Sequence, residues 1–195
     1  WGRACWVTNL IDGARSRGVD AACDLYGYVV SGGSLVGLFA PQFLLEKADT
    51  EDIPGSIKEA VRDRRMRERV LAFIRFLFDT LGGPERVRIA AFPAEPEVEG
   101  RTFGDVSQAK DQPADEVALD FLQRSDARLR CEILVERDVM HLMQHPTAMI
   151  CSDARGMAIE GPEDREMVHP RTFGAFPRIL RRYVIELGAM GFPEA

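Results

Sequence analysis

The feature that most constrains the fold of this chain is the regular alternation of short apolar runs with longer stretches of helical spacing. "VDAACD", "RVRIAAF", "RCEILV" and "TAMIC" each have the length and character of a strand. Between them lie helix patterns. Ala4 to Arg17 carries Val7, Leu10, Ile11 and Ala14 at helical spacing and stops at Gly18, and Ile53 to Leu81 reads as one long helix closed by "GGP". Thr102 with Asp105 suits a capping box for a helix to Lys110, and Pro113 opens another that carries Val117, Phe121 and Leu122. "ERDVMHLMQ" is a short helix, and Ala175 to Leu187 is the last, with Ile179, Leu180, Tyr183 and Val184 inward. Strands that alternate with helices favour an α/β architecture with mainly parallel strands, because a parallel pair needs a crossover long enough to hold a helix. The segment Leu25 to Asp52 stands apart as a long, glycine-rich and partly buried excursion.

In α/β folds chemistry collects at the carboxyl ends of strands. "TAMIC" reads as a short buried strand that delivers Asp153 into a Ser/Arg/Gly loop. Strand alternation places Cys151 and Asp153 on one face and Ser152 on the other. From these residues alone Asp153 is either a reactive carboxylate or a loop cap. About twenty residues later, "VHPRTFGAFPRIL" brings the guanidinium fork of Arg171, the imidazole of His169 and, at Pro177, a helix start with free N–H groups. That set suits a carboxylate ligand.

Other candidates carry less. His141 and His145 lie four apart, a spacing that can chelate a metal, but no Glu lies between them and no third ligand is near, so a helix end before Pro146 is the better reading. Cys151 is read as a buried small residue. The four cysteines form no CxxC pair, which points to a reducing, cytoplasmic setting. A net charge of −6 with the basic residues spread among acids excludes a nucleic-acid face. No apolar run reaches the roughly 20 residues of a membrane span.

"HPTAMICSDARG…VHPRTFGAFPRILRRYVIE" resembles the carboxy-terminal signature of the D-aminoacylases, the N-acyl-D-amino-acid deacylases of the amidohydrolase superfamily. Upstream, "WGRACWVTNLIDGARSRGVDAACDLYGYVVSGGSL" and "EGRTFGDVSQAKDQPADEVALDFLQ" resemble further segments of that family. The resemblance implies the carboxy-terminal portion of a TIM-like (β/α)8 amidohydrolase barrel, about strands six to eight, with residues 92–143 as an inserted lid. It implies a zinc-dependent hydrolase for which a small-molecule N-acyl-D-amino acid is the substrate. Asp153 would take a proton from a metal-bound water and pass one to the leaving amine, and Arg171 would hold the substrate carboxylate. His169, Tyr26 and Tyr28 would be substrate-binding neighbours. Asp153 is the one possible metal ligand, since the family's HxH pair is absent and no His precedes His141. The family's YPY turn is here Tyr26-Gly27-Tyr28, and GSDG is Cys151-Ser152-Asp153-Ala154. Alone, the chain is expected to be inactive. The alternative is a non-catalytic fragment, an α/β binding or assembly module that self-associates through open sheet edges.

Overall fold

A computed structural model describes residues 2–154, 156, 169–193 and 195. Along the chain run α1 (Ala4–Ser16), β1 (Cys23–Leu25), β2 (Ser31–Ser34), α2 (Leu35–Phe39), α3 (Gln42–Leu45), α4 (Ile53–Ala60) and α5 (Arg64–Leu81). Then follow β3 (Val87–Ala91), α6 (Phe103–Lys110), α7 (Ala114–Leu122), β4 (Arg128–Cys131), α8 (Glu136–Met143), β5 (Ala148–Ile150) and α9 (Arg171–Arg178). A π-helical turn, Ile179–Glu186, continues from α9. The result is a mixed α/β chain. It divides into two compact units, Trp1–Val30 with Ile133–Ala195, and Ser31–Glu132. The segment 92–143 is shared between them.

The first unit is built on β1 and β5, a parallel pair in the register Cys23↔Ala148, Asp24↔Met149 and Leu25↔Ile150. α8 leads into β5 and also packs on α1, whose buried residues are Ala4 and Thr8. The core here is small: Val139 and Met143 of α8 meet Ile179 and Tyr183, with half-buried Leu25 and Ile150 against them. β5 is therefore only partly covered, and Met149 is 58% exposed, where a buried strand was expected. Leu10 and Leu180 also face outward, against the inward positions their spacing suggested. The last helix starts at Arg171 rather than Ala175, and Pro177 lies inside it instead of opening it. Proline supplies no N–H to the preceding turn, and the backbone widens into the π-helical turn directly after it.

The second unit corrects the expectation of mainly parallel strands. β2, β4 and β3 form an antiparallel sheet in that order, with Ser31↔Cys131 and Val87↔Cys131 in register. Two of its strands come from segments read otherwise: "SGGS" lies in the presumed excursion, and β4 begins two residues before "RCEILV" and ends at Cys131. One sheet face is apolar, with Val87, Ile89, Leu129 and Cys131 buried at alternate positions, although Ala90 of β3 is buried as well. A run of phenylalanines fills the core of this unit. Phe39 meets Phe78 at 4.9 Å, Phe78 meets Phe103 at 5.5 Å, Phe103 meets Phe121 at 5.7 Å, and Phe121 stacks on Phe92 at 4.3 Å. The helix expected over Ile53 to Leu81 is in fact two, because Asp63 caps a new start by accepting from the Met66 N–H. Gly82, at φ 87°, closes α5 as its sequence indicated. The Thr102–Asp105 capping box is present.

Candidate active site at the carboxyl ends of the parallel strands

Because β1 and β5 run parallel, their carboxyl ends open on the same side, and a cleft of about 840 Å³ lies there. Asp24 and Leu25 of β1 and Tyr26 just beyond it line one side, and Cys151 to Ala154, which follow β5, line the other. Leu134, Asp138, Val139 and Leu142 supply the apolar side. Asp153 thus stands where a strand-end carboxylate was expected, although β5 ends at Ile150 and strand alternation does not carry through to it. Its φ of 45° turns the backbone into the left-handed region, which a side chain other than glycine enters at a cost. Ser152 accordingly lines the same cleft as Cys151 and Asp153.

Arg171, at the first turn of α9, reaches Asp153 and is not itself among the cleft-lining residues. Its Nη1 lies 2.9 Å from Oδ2 of Asp153, and its guanidinium lies over the Tyr26 ring at 4.5 Å. The side chain of Arg171 is only 12% exposed, while that of Asp153 is 59% exposed. The approach is Coulombic only: the angle does not make a hydrogen bond, and Nη1 is left as a buried donor without an acceptor among the described residues. A buried orphan of this kind is costly unless something accepts from it.

The aromatic neighbours assemble on the same spot. His169 is buried and meets the Tyr26 ring edge-on at 5.9 Å and the Tyr28 ring at 5.4 Å. Tyr28 also carries Arg178 over its face at 4.6 Å and directs its hydroxyl toward the Pro170 carbonyl at 3.4 Å. Between the tyrosines, the Gly27 carbonyl accepts from Arg178 Nε and from the Tyr183 hydroxyl. Asp153, Arg171, His169, Tyr26 and Tyr28 are therefore brought together. Asp24, Asp138 and Cys151 are cleft residues that reading the sequence did not assign. The pattern could have yielded Asp24, which directly precedes the end of the strand that pairs with β5. Burial first, then the nearby Asp24 carboxylate, pushes the Cys151 thiol up, which disfavours its thiolate.

The resemblance read from the sequence implies a metal, and the donors among the described residues do not fit one. Asp138 accepts from the Gly2 N–H at 2.6 Å, and Asp153 is occupied by Arg171. His141 faces the Thr8 hydroxyl at 3.2 Å, and His145 is held between Thr147 and Asp12, so the two imidazoles do not converge. No cluster of three His, Cys, Asp or Glu side chains able to hold a metal ion exists among the described residues.

Solved structures supply the likeness that decides the fold. An N-acyl-D-glutamate deacylase from Bordetella bronchiseptica, solved with zinc and a phosphonate mimic of the tetrahedral intermediate, superposes with a TM-score of 0.64 at 24% identity. The chain has the fold of part of a D-aminoacylase. A D-aminoacylase studied for its binuclear metal centre matches at 0.63 and 22%, and one described as defining a novel subset of amidohydrolases at 0.63 and 23%. Each alignment covers 100% of this chain and 30% of the other, so the chain spans under a third of the D-aminoacylases it matches. No protein-family model matches it, and no curated protein does. The D-aminoacylase resemblance read from the sequence is thus met by the fold.

Proposed function

We propose that this chain forms part of the active site of a hydrolase that removes the acyl group from N-acyl-D-amino acids, within a TIM-like (β/α)8 barrel that the chain only partly supplies. The observation that carries the reading is the pairing of a strand-end carboxylate, Asp153, with a buried guanidinium whose Nη1 lacks an acceptor among the described residues. An amino-acid α-carboxylate would satisfy that donor, and Tyr26 and Tyr28 would frame the ligand. Asp153 would accept the proton of the attacking water as its oxygen adds to the acyl carbon. The same proton would then go to the nitrogen as the C–N bond breaks, releasing a carboxylic acid and a D-amino acid. Residues 92–143 belong, in this reading, to an inserted segment. Zinc would need ligands from beyond the described residues. The four free thiols suit a reducing cytoplasm.

The test is hydrolysis by a D-aminoacylase in which this chain replaces the matching segment. N-acetyl-D-amino acids should be cleaved and their L-enantiomers left intact. Arg171→Lys keeps the charge but loses the planar fork, so it should raise KM for substrates with a free α-carboxylate by about tenfold or more, and leave the corresponding carboxamides almost unaffected. A chimera that folds but cleaves neither enantiomer would refute the reading.

A second reading has its own support. Trp6, Phe173, Phe176 and Ile185 of the first unit are each more than half exposed, as is Met149 on the parallel pair. A non-catalytic assembly module would use such a surface for self-association. Monomeric behaviour across a wide concentration range would count against it.

A further inference from the structure

His169 has no part in the proton transfer, yet it is the most enclosed polar side chain at the site, 5% exposed. Its Nε2 lies 2.7 Å from the Val30 carbonyl oxygen, and its Nδ1 lies 3.0 Å from the backbone nitrogen of Arg171. A carbonyl can only accept and a backbone N–H can only donate. The ring therefore carries its proton on Nε2 and a lone pair on Nδ1, the neutral Nε2–H tautomer. The Arg171 N–H is one of the orphan donors at the start of α9, and Pro170, the capping residue, has no side-chain hydrogen bond to offer it. Nδ1 of His169 takes that place. Tyr26, Tyr28 and Val30, alternate residues of the segment after β1, all converge on this one ring.

We propose that His169 is a positioning residue for Arg171: a tautomer-fixed strut that ties the Tyr26–Val30 segment to the amino end of α9 and so holds the guanidinium over Tyr26, ready for a carboxylate. The ligand in this statement rests on the reading under Proposed function, whereas the strut does not. With both ring nitrogens engaged by backbone, His169 acts on a ligand through Arg171 and not by touching it.

Two measurements on the chain separate these claims. Nitrogen NMR of the imidazole should show the Nε2–H tautomer, and the Arg171 amide should exchange with solvent at least about tenfold faster in His169→Ala than in wild type. His169→Gln, which keeps an N–H able to reach Val30 but offers the Arg171 amide no ring nitrogen, should exchange like His169→Ala while retaining the fold. An Nδ1–H ring, or an Arg171 amide equally protected in all three, overturns the strut. Binding is then compared for N-acetyl-D-alanine and its carboxamide. The wild type should prefer the acid by about tenfold, Arg171→Ala should abolish that preference, and His169→Ala should bring it within about threefold of Arg171→Ala. Preference unchanged in His169→Ala overturns the positioning role. No preference in wild type itself sinks the functional reading, and the strut is then decided by the tautomer and the exchange rates.

Discussion

At Gly27 an added Cβ would come within 2.5 Å of Ile179 Cδ1 and 2.9 Å of Tyr183 Cε2. The family turn that this position resembles has proline there, so the proline of that turn would not fit against these two side chains as they stand. Glycine is required by close approach, a reason the sequence could not show because its neighbours lie more than 150 residues away. Gly27→Ala should therefore lower stability by about 1–3 kcal/mol, the usual range for overpacking, read by urea unfolding. The thiols give a second residue-level expectation. Burial pushes the Cys131 thiol up to about 11, so at about pH 8 it should be the last to react with iodoacetamide, and exposed Cys5 the first. Rapid loss of the Cys131 thiol in the folded chain would show that the core of the second unit is open.

Individual elements are held by two different means. Phe103 is fully buried among Phe39, Phe78 and Phe121, and Phe103→Ala should cost about 3–5 kcal/mol by chemical denaturation. α8 is tied to the π-helical turn by a two-pronged pair, Arg182 Nε and Nη2 each 3.0 Å from a Glu136 oxygen. That pairing holds the Glu136 carboxyl below its ordinary range. A depressed folded value gives stability that is present above the unfolded value of about 4.3 and is lost as pH falls through the folded one. Glu136→Gln should thus lower Tm at neutral pH and converge on wild type in acid. A gap in Tm independent of pH would assign the loss to packing instead. Elements with local signals were legible: the capping box at Thr102, the glycine ends of α1 and α5, and α8 were all readable. The break at Asp63 carried a capping signal that the continuous apolar stripe concealed. β2 carried almost none, because "SGGS" has no strand character and is a strand through pairing with β4 alone.

For the molecule as a whole, strands alternating with helices indicated the α/β class correctly, but pairing direction depends on contacts distant in sequence, and the antiparallel sheet of the second unit went unread. The contacts among the candidate residues were more legible than the sheet. Asp153, Arg171, His169, Tyr26 and Tyr28 were named from motifs and are linked by a chain of contacts, with Asp153 and Tyr26 lining the cleft, whereas Asp138 has no motif and emerges only from folding. The histidines bear on metal content. With His141 and His145 engaged by different partners, the purified chain should hold little zinc. Near-stoichiometric zinc by elemental analysis, lost on replacing both, would show that this separation is wrong. The central claim is that Asp153 moves the proton, and the most direct measurement is steady-state hydrolysis of an N-acetyl-D-amino acid by the chimera carrying Asp153→Asn. Asparagine keeps the size and hydrogen bonding but cannot take the proton, so kcat should fall by roughly 10²- to 10⁴-fold with KM little changed. Unchanged kcat in Asp153→Asn would contradict the account and leave Asp153 a loop carboxylate paired with Arg171.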